Sequence, residues 1–583
     1  MLSNCIEIFK ETDMLKQVLD EYVPADGDYL VMEYKDGTFH MKEHLSIKMN
    51  KQSRILSISP GERRKIAELD YYCKLLEMNK PIDPKKVIHS NNYLSFWIKK
   101  ENIDNGKLTD EVIDRYYAIL AEPALKYKND KDRQLYVEAE RKLGPVNQQA
   151  LQIVKVWIKE HIRQLPIQVT GKDYLKLFFL MPNTDIKIEG ERYLIPNLFN
   201  KNDYNEKIGE TIYGVPNNNM QMNAKKPFLE NKDRLYKVPM LQSIEEVQVK
   251  KLFFDYLMNC AANGRYNVYL YAEHENEGSY KIRAYTNKEL PDIVNGHGFY
   301  LRIHKDKNEA AIEQMDRITS YRQSLSQPIK VRNITGIETD KLKYPLYTTY
   351  AKLKELSEMI DTVCFSKYLA NNYFTEPGEL SGITGKRKMI LLSGRNALFN
   401  WFYKGNDQMI RSLWNHLAWQ LIRVSVEDGN LNIANHQFNV WVAIKSYFEG
   451  GDAQMADIMI AVRETLRKKI NTKEYQSIEK DEEYYYAVGQ LVAYFISKNR
   501  SKKKNHSYFN AFLNIRKDAL LKNKIEILFK KYNYDIEVKS QRFNQLYNMV
   551  VSYQPEGEVL EAYMMAGYIS NNLIYEKGDK KDE

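Results

Sequence analysis

The hydrophobic period changes character once along this 583-residue chain, near Pro345, and no other feature limits the fold as strongly. Before that point, short alternating runs are interleaved with runs of helical spacing. Beyond it, almost every apolar run is spaced for a helix. The chain is therefore expected to be α+β: a mixed α/β N-terminal domain over 1–344, then an α-helical domain over 345–583. Within the second, residues 452–583 are expected to form a helical bundle of their own.

The N-terminal part opens with two strand-like runs over 28–47, DYLVMEYKDGTFHMKEHLSI, joined at Asp36-Gly37. That dipeptide favours a tight hairpin turn because both positions can take positive φ. Residues 93–98 suggest another strand. Amphipathic helices are predicted after Thr109, through Val112, Ile113, Tyr116, Tyr117 and Leu120, and after Pro145, through Leu151, Val154, Ile158 and Ile162. Strands are expected again over 174–195, with Glu189-Gly190 as the turn between IKI and RYLI. Ser243 and Glu246 form a capping-box signature ahead of a helix that stops at Asn263-Gly264. Strands over 266–304, a short helix from Glu309 and a strand at 329–334 complete this part.

Between these elements lies a long irregular segment, 196–242, rich in Asn, Gly and Pro. Loops of this length inside compact domains are functional or disordered. Its apolar residues, among them Phe199, Ile208, Ile212, Met220 and Phe228, favour an ordered loop that touches something. Asn217, Asn218, Asn219 and Asn223 carry both donors and acceptors that suit base edges, and Lys225 and Lys226 can reach phosphate. Equally, Asn in a loop commonly bonds its own backbone and serves the turn.

In the C-terminal part, 394–448 is heavily apolar and rich in Trp, and Asp452 can cap a helix with the stripe Met455, Met459, Val462 and Leu466. Residues 484–517 then combine an apolar helical run, a basic turn and a second helical run. Lys498, Arg500, Lys502, Lys503 and Lys504 fall within seven positions, and no Asp or Glu occurs between Glu483 and Asp518. Ser507 is a plausible cap for the second run, which directs Phe509, Phe512 and Leu513 inward and Arg516 and Lys517 outward. Such a knob suits a polyanion, with Tyr508 or Phe509 available to stack on bases. Gly489 and Gly567 interrupt helical patterns, and close helix crossing is the usual reason.

Net charge is +9, but Lys, Asn, Tyr and Ile are all plentiful, as an AT-rich genome would make them, so only local clusters carry weight. Cys5, Cys73, Cys260 and Cys364 are far apart with no C-x-x-C pair, which reads as core thiols without a disulfide framework or zinc site. No signal peptide, membrane span, metal motif or cofactor motif is evident, and a cytoplasmic location is expected. Gly382 to Arg387 lacks the first glycine and the Ser/Thr of a phosphate loop. The basic cluster Lys386, Arg387, Lys388 and Arg395 is either a phosphate-neutralising surface or a solvated face. His297 and His304 read as ordinary histidines, and Pro291-Asp292 is followed by no acid-x-Lys pair. These absences favour a binding subunit over an enzyme.

Two stretches carry a resemblance. NLFNKNDYNEKIGETIYGVPNNNMQMNAKKPFL, with its Tyr-Gly, Asn-Met and Lys-Lys-Pro landmarks, resembles the large subunit of type I-B CRISPR interference complexes (Cascade). So does the tail, with AVGQLVAYFISKNRSKKK, FNAFLN, FNQLYNMVVSYQPEG and AGYISNNLIY. The landmarks span about two-thirds of the length. Some members carry a cysteine zinc motif that is absent here, so no metal is carried over.

The resemblance implies a non-catalytic subunit that binds CRISPR RNA with the Cascade backbone and small subunits. It would inspect target double-stranded DNA for a protospacer-adjacent motif, support the R-loop and displaced single strand, and help recruit a helicase-nuclease. It also implies that 452–583 resembles the small subunit, which type I-B genes can encode from an internal start; Met455, after Glu449-Gly450-Gly451, is placed for one. The competing readings are a stand-alone RNA-binding protein and a nuclease with a degenerate active site.

Overall fold

The computed structural model describes the chain except for residues 77, 169, 201, 217–240, 274–278, 307–308, 338–344, 384, 451–453, 501–504, 538 and 577–583, and the side chains of 306 and 309. It has an N-terminal α/β region and a C-terminal helical region, with two compact units: 1–286 with 298–317, and 287–297 with 318–583.

In the first unit, Asp36 and Gly37 both take positive φ (52° and 83°), and the turn joins strands Gly27–Lys35 and Thr38–Ile47 as an antiparallel hairpin. Strand Tyr174–Leu180 pairs in parallel with Gly27–Lys35 and antiparallel with Ser95–Lys99, completing a four-stranded sheet. Side chains alternate along the central strand. Leu175, Leu177 and Phe179 meet the helices Asp110–Ala121 and Gln148–His161 on one face. On the other, Phe178 joins Tyr29, Trp97 and the helix Pro60–Cys73. Lys176 also points to that second face, where its ammonium bonds both Asp70 oxygens (2.7 and 3.0 Å) and lies 3.7 Å from the Trp97 ring centroid. Tyr22 donates to the same carboxylate. A second sheet, in the order Glu309–Arg322, Asn295–Asp306, Asn267–Glu273, Tyr280–Tyr285, packs with the helices Ile244–Ala262 and Leu2–Lys10. The capping box at Ser243 and Glu246 is formed.

Three segments depart from expectation, and the strand expected at 329–334 runs instead over Ser324–Lys330. Residues 186–194 are a helix, not a strand pair with a turn: Asp185 caps it, and Gly190 lies so close to the Tyr72 backbone that a Cβ would sit 2.1 Å from its carbonyl oxygen. Two of its charges are internal: Arg192 bonds Glu189 and the carbonyl of Gly144. Residues from Glu309 form a strand, not a helix, because pairing with Asn295–Asp306 decides the conformation over local preference. The irregular segment also holds short strands, Glu206–Ile208 and Thr211–Gly214, which pair with each other and with Gln242–Ser243. All four cysteines are free and buried.

The second unit begins with the paired strands Ser324–Lys330 and Thr349–Lys352 and continues as helices from Leu353. Trp414 donates to the Trp441 carbonyl, and the Trp441 indole donates to Asn415, so each large ring has its polar atom satisfied. The helix Asp481–Ser497 is buried along nearly its whole length and crosses Glu561–Ile569 with backbones in contact. A Cβ on Gly489 would lie 2.1 Å from the Met564 carbonyl oxygen, and one on Gly567 would lie 2.1 Å from that of Tyr486. The glycines at these helical positions serve close approach, as expected.

Gly489→Ala should therefore destabilise the protein by about 3 kcal/mol, the cost of overpacking against backbone that cannot yield. A lowered thermal midpoint beside an unchanged Gly378→Ala control, a site with open space for a Cβ, is the expected outcome.

Candidate nucleic-acid interface

Because Asp481–Ser497 is buried along its middle, only its ends can present charge to solvent, acidic at Asp481 and Glu482 and basic just past its C-terminus. The chain emerges there as Lys498 and Arg500. The helix Asp518–Tyr532 also ends in cations, Lys530 and Lys531. Both groups sit at helix C-termini, where the macrodipole favours positive charge. Arg500 bonds Asp535 at 3.1 Å, which ties the two helix ends together.

Each of these ends carries exposed tyrosines with cations over their faces. Lys498 lies 5.6 Å from the ring centroid of Tyr575 and 4.9 Å from that of Tyr494, which is itself buried. The Arg500 guanidinium is 5.0 Å from Tyr534, and the Lys531 ammonium 5.4 Å from Tyr508. Tyr508, Tyr534 and Tyr575 are 53%, 60% and 52% exposed. A ring beneath a cation contributes about 0.5–1 kcal/mol at an exposed site and restricts a flexible side chain, leaving its outer hemisphere for phosphate. The exposed rings provide surfaces on which bases can stack, at about 1–3 kcal/mol per base.

The structure sorts the remaining candidates. Asn217, Asn218, Asn219, Asn223, Lys225 and Lys226 lie outside the described residues, as do Lys502, Lys503 and Lys504. Phe509 is unavailable for stacking on bases: it is buried and stacks on Tyr568 at 3.8 Å. Ser507 does not cap the following run; Asn505 does, accepting from the Ser507 backbone N–H at 3.0 Å. Arg516 is paired with Glu561, whereas Lys517 is exposed and makes no ion pair among the described residues. Charges distant in sequence thus partly neutralise a stretch that contains no acid of its own.

Lys386 and Arg387 pair with Glu427 and Asp428 at 2.6 and 2.9 Å, and Lys388 reaches the Leu380 carbonyl. Arg395 donates to the carbonyls of Asn372 and Thr375 at 2.9 and 2.6 Å, and burial lowers its pKa from the ordinary value. These four therefore make internal bonds that a phosphate would have to displace or share. Sequence reasoning missed Lys531, Tyr534 and Tyr575, which join Lys498 and Arg500 only through folding. Among the described residues, no group of three or more His, Cys, Asp or Glu is placed to hold a metal ion, and no helix is long and apolar enough to cross a membrane. No protein-family model, curated protein or solved structure matches the chain.

Replacing Lys498, Arg500 and Lys531 together by Ala should weaken binding of a single-stranded oligonucleotide. If each meets one phosphate, the slope of log K against log salt should become shallower by about 2, at about 0.7 per lost contact. Arg395→Ala should instead lower the thermal midpoint, by leaving two carbonyls unpaired at about 1–3 kcal/mol, without changing that slope.

Proposed function

We propose that this chain is the non-catalytic large subunit of a type I-B CRISPR surveillance complex in the cytoplasm. In this reading it binds the CRISPR RNA-guided assembly and target double-stranded DNA. It recognises the protospacer-adjacent motif, holds the displaced strand and supports recruitment of a helicase-nuclease. The observation that carries the nucleic-acid reading is the group of cation-covered, exposed tyrosines at the ends of two helices: it combines phosphate-binding charge with stacking surface, which a single strand requires. The tail and Asn-rich landmarks support the particular assembly. Base pairing with the guide would supply sequence specificity, leaving this subunit to read a short duplex motif.

The test is a reconstituted complex with CRISPR RNA, assayed on duplexes randomised beside the protospacer. Enrichment of one short motif that depends on this chain is expected. Equal retention of all duplexes would overturn motif recognition. Tight RNA binding by the isolated chain with no effect on the complex would favour a stand-alone RNA-binding protein, and metal-dependent cleavage by the chain would favour a nuclease.

The same reading includes a second product starting at Met455. Its helices would keep their mutual contacts, including the Gly489–Gly567 crossing and the bonds that Asp481 accepts from the Tyr553 hydroxyl and the Gly557 backbone N–H. Mass spectrometry of the purified complex should find a peptide that begins at Met455 or Ala456. Full recovery of the subunits without it would remove the internal start.

A further inference from the structure

A cavity of about 290 Å³ opens in the first unit. Its walls are apolar and aromatic: Leu194 and Leu252 contribute side chains from the helices Ile186–Leu194 and Ile244–Ala262, and Tyr71 and Tyr72 come from the end of Pro60–Cys73. Lys74, Lys142 and Lys187 also line it; they are exposed and make no ion pair among the described residues. Lys251 differs, because it bonds Asp255 and the Tyr71 hydroxyl, which itself donates to Asp255 at 2.7 Å.

Asn91 adds an unusual polar element. It lines the cavity while only 4% exposed; its amide nitrogen donates to the Lys74 carbonyl at 3.1 Å, but its Oδ1 is buried without a hydrogen-bond partner. A buried acceptor left unmet is unfavourable, so a ligand N–H placed there would gain an interaction the free protein lacks. The lining also carries one carboxylate that makes no ion pair among the described residues, Glu191, but three such cations outnumber it, and with the aromatic walls and the unmet acceptor they call for an anion attached to a flat ring that bears N–H groups. An aliphatic acid would meet the cations and the walls but not Asn91. The enclosed volume suits one small molecule, not a duplex.

We propose that this cavity binds a single nucleotide, with its base between the aromatic and leucine walls, a base N–H donating to Asn91 Oδ1, and phosphate held by Lys74, Lys142 and Lys187. The nucleotide is either free or turned out of a bound strand. The second source rests on the nucleic-acid reading given above; the first does not.

The full-length chain should be titrated with AMP and UMP by calorimetry. In parallel, its binding to a single-stranded RNA carrying 2-aminopurine should be followed by fluorescence and by gel retention. Three variants are compared: Lys142→Ala/Lys187→Ala, which removes exposed cations; Leu252→Trp, which fills the cavity; and Lys498→Ala/Arg500→Ala, which alters only the other interface. For a free nucleotide, AMP or UMP binds at one site, weakens about tenfold or more in the lysine pair and is lost in Leu252→Trp. The Lys498/Arg500 variant binds it normally, even if the strand-binding reading fails.

For a strand nucleotide, the mononucleotides give no heat. The 2-aminopurine signal instead changes on binding, and that change is lost in Leu252→Trp while gel retention persists. Mononucleotide binding indifferent to both cavity variants overturns the proposal. So does silence of AMP and UMP together with a 2-aminopurine signal that is absent or the same in wild type and Leu252→Trp. Thermal midpoints of the lysine-pair variant, whose side chains are exposed, control for folding.

Discussion

The contact of two backbones at Gly489 and Gly567 governs the second unit. With no Cβ on either side, Asp481–Ser497 and Glu561–Ile569 come close enough for Gln490 to donate to the Gly567 carbonyl and accept from the Leu573 backbone N–H. Asn572 returns a bond to the Gln490 carbonyl. These bonds fix the segment that follows, so Tyr575 reaches Ser497 and lies beneath Lys498, while Glu576 meets Arg467. The surface arrangement of charge at Lys498 is thus a downstream consequence of two missing methyl groups in the core.

Much of the fold was legible where one local signal determines one element. Asp36-Gly37 specified its hairpin, and Ser243-x-x-Glu246 specified a helix start, because both act through bonds or dihedrals within a few residues. The helix Pro60–Cys73 carries an equally local signal, Ser59-Pro60-x-Glu62. Asp130–Leu143 was harder: its charged sequence shows only a narrow stripe of Leu135, Tyr136 and Ala139. Residues 186–194 and 309–322 were misread because Glu-Gly resembles a turn and strand alternation can be weak. Their conformations follow from neighbours, the Tyr72 backbone in one case and an adjacent strand in the other.

The interface was legible in charge and less so in partners. A run without acids pointed to Lys498 and Arg500, yet Asp535 and Glu561 approach from later helices and change the local balance. Tyr534 and Tyr575 stand 34 and 75 positions after Arg500, so no reading of spacing could place them beside it. Inward and outward positions around Tyr508 and Phe509 were separable in principle from helical spacing. Phe509 is buried on Tyr568, as its inward position in that spacing implies, and Tyr508 alone of the two remains exposed.

The sealed pair of Lys176 and Asp70 bears on how the first sheet reaches its final alignment. Sliding the central strand by one residue would turn every side chain to the opposite face. Most residues in LKLFFL would tolerate the exchange, since leucine and phenylalanine are at home on either side. Lys176 would not: its ammonium would enter the layer of Leu175, Leu177 and Phe179, and Asp70 would be left buried with only Tyr22 for company. One charged residue in an otherwise interchangeable strand therefore acts as an error check, separating the correct alignment from a near copy that hydrophobicity alone would accept.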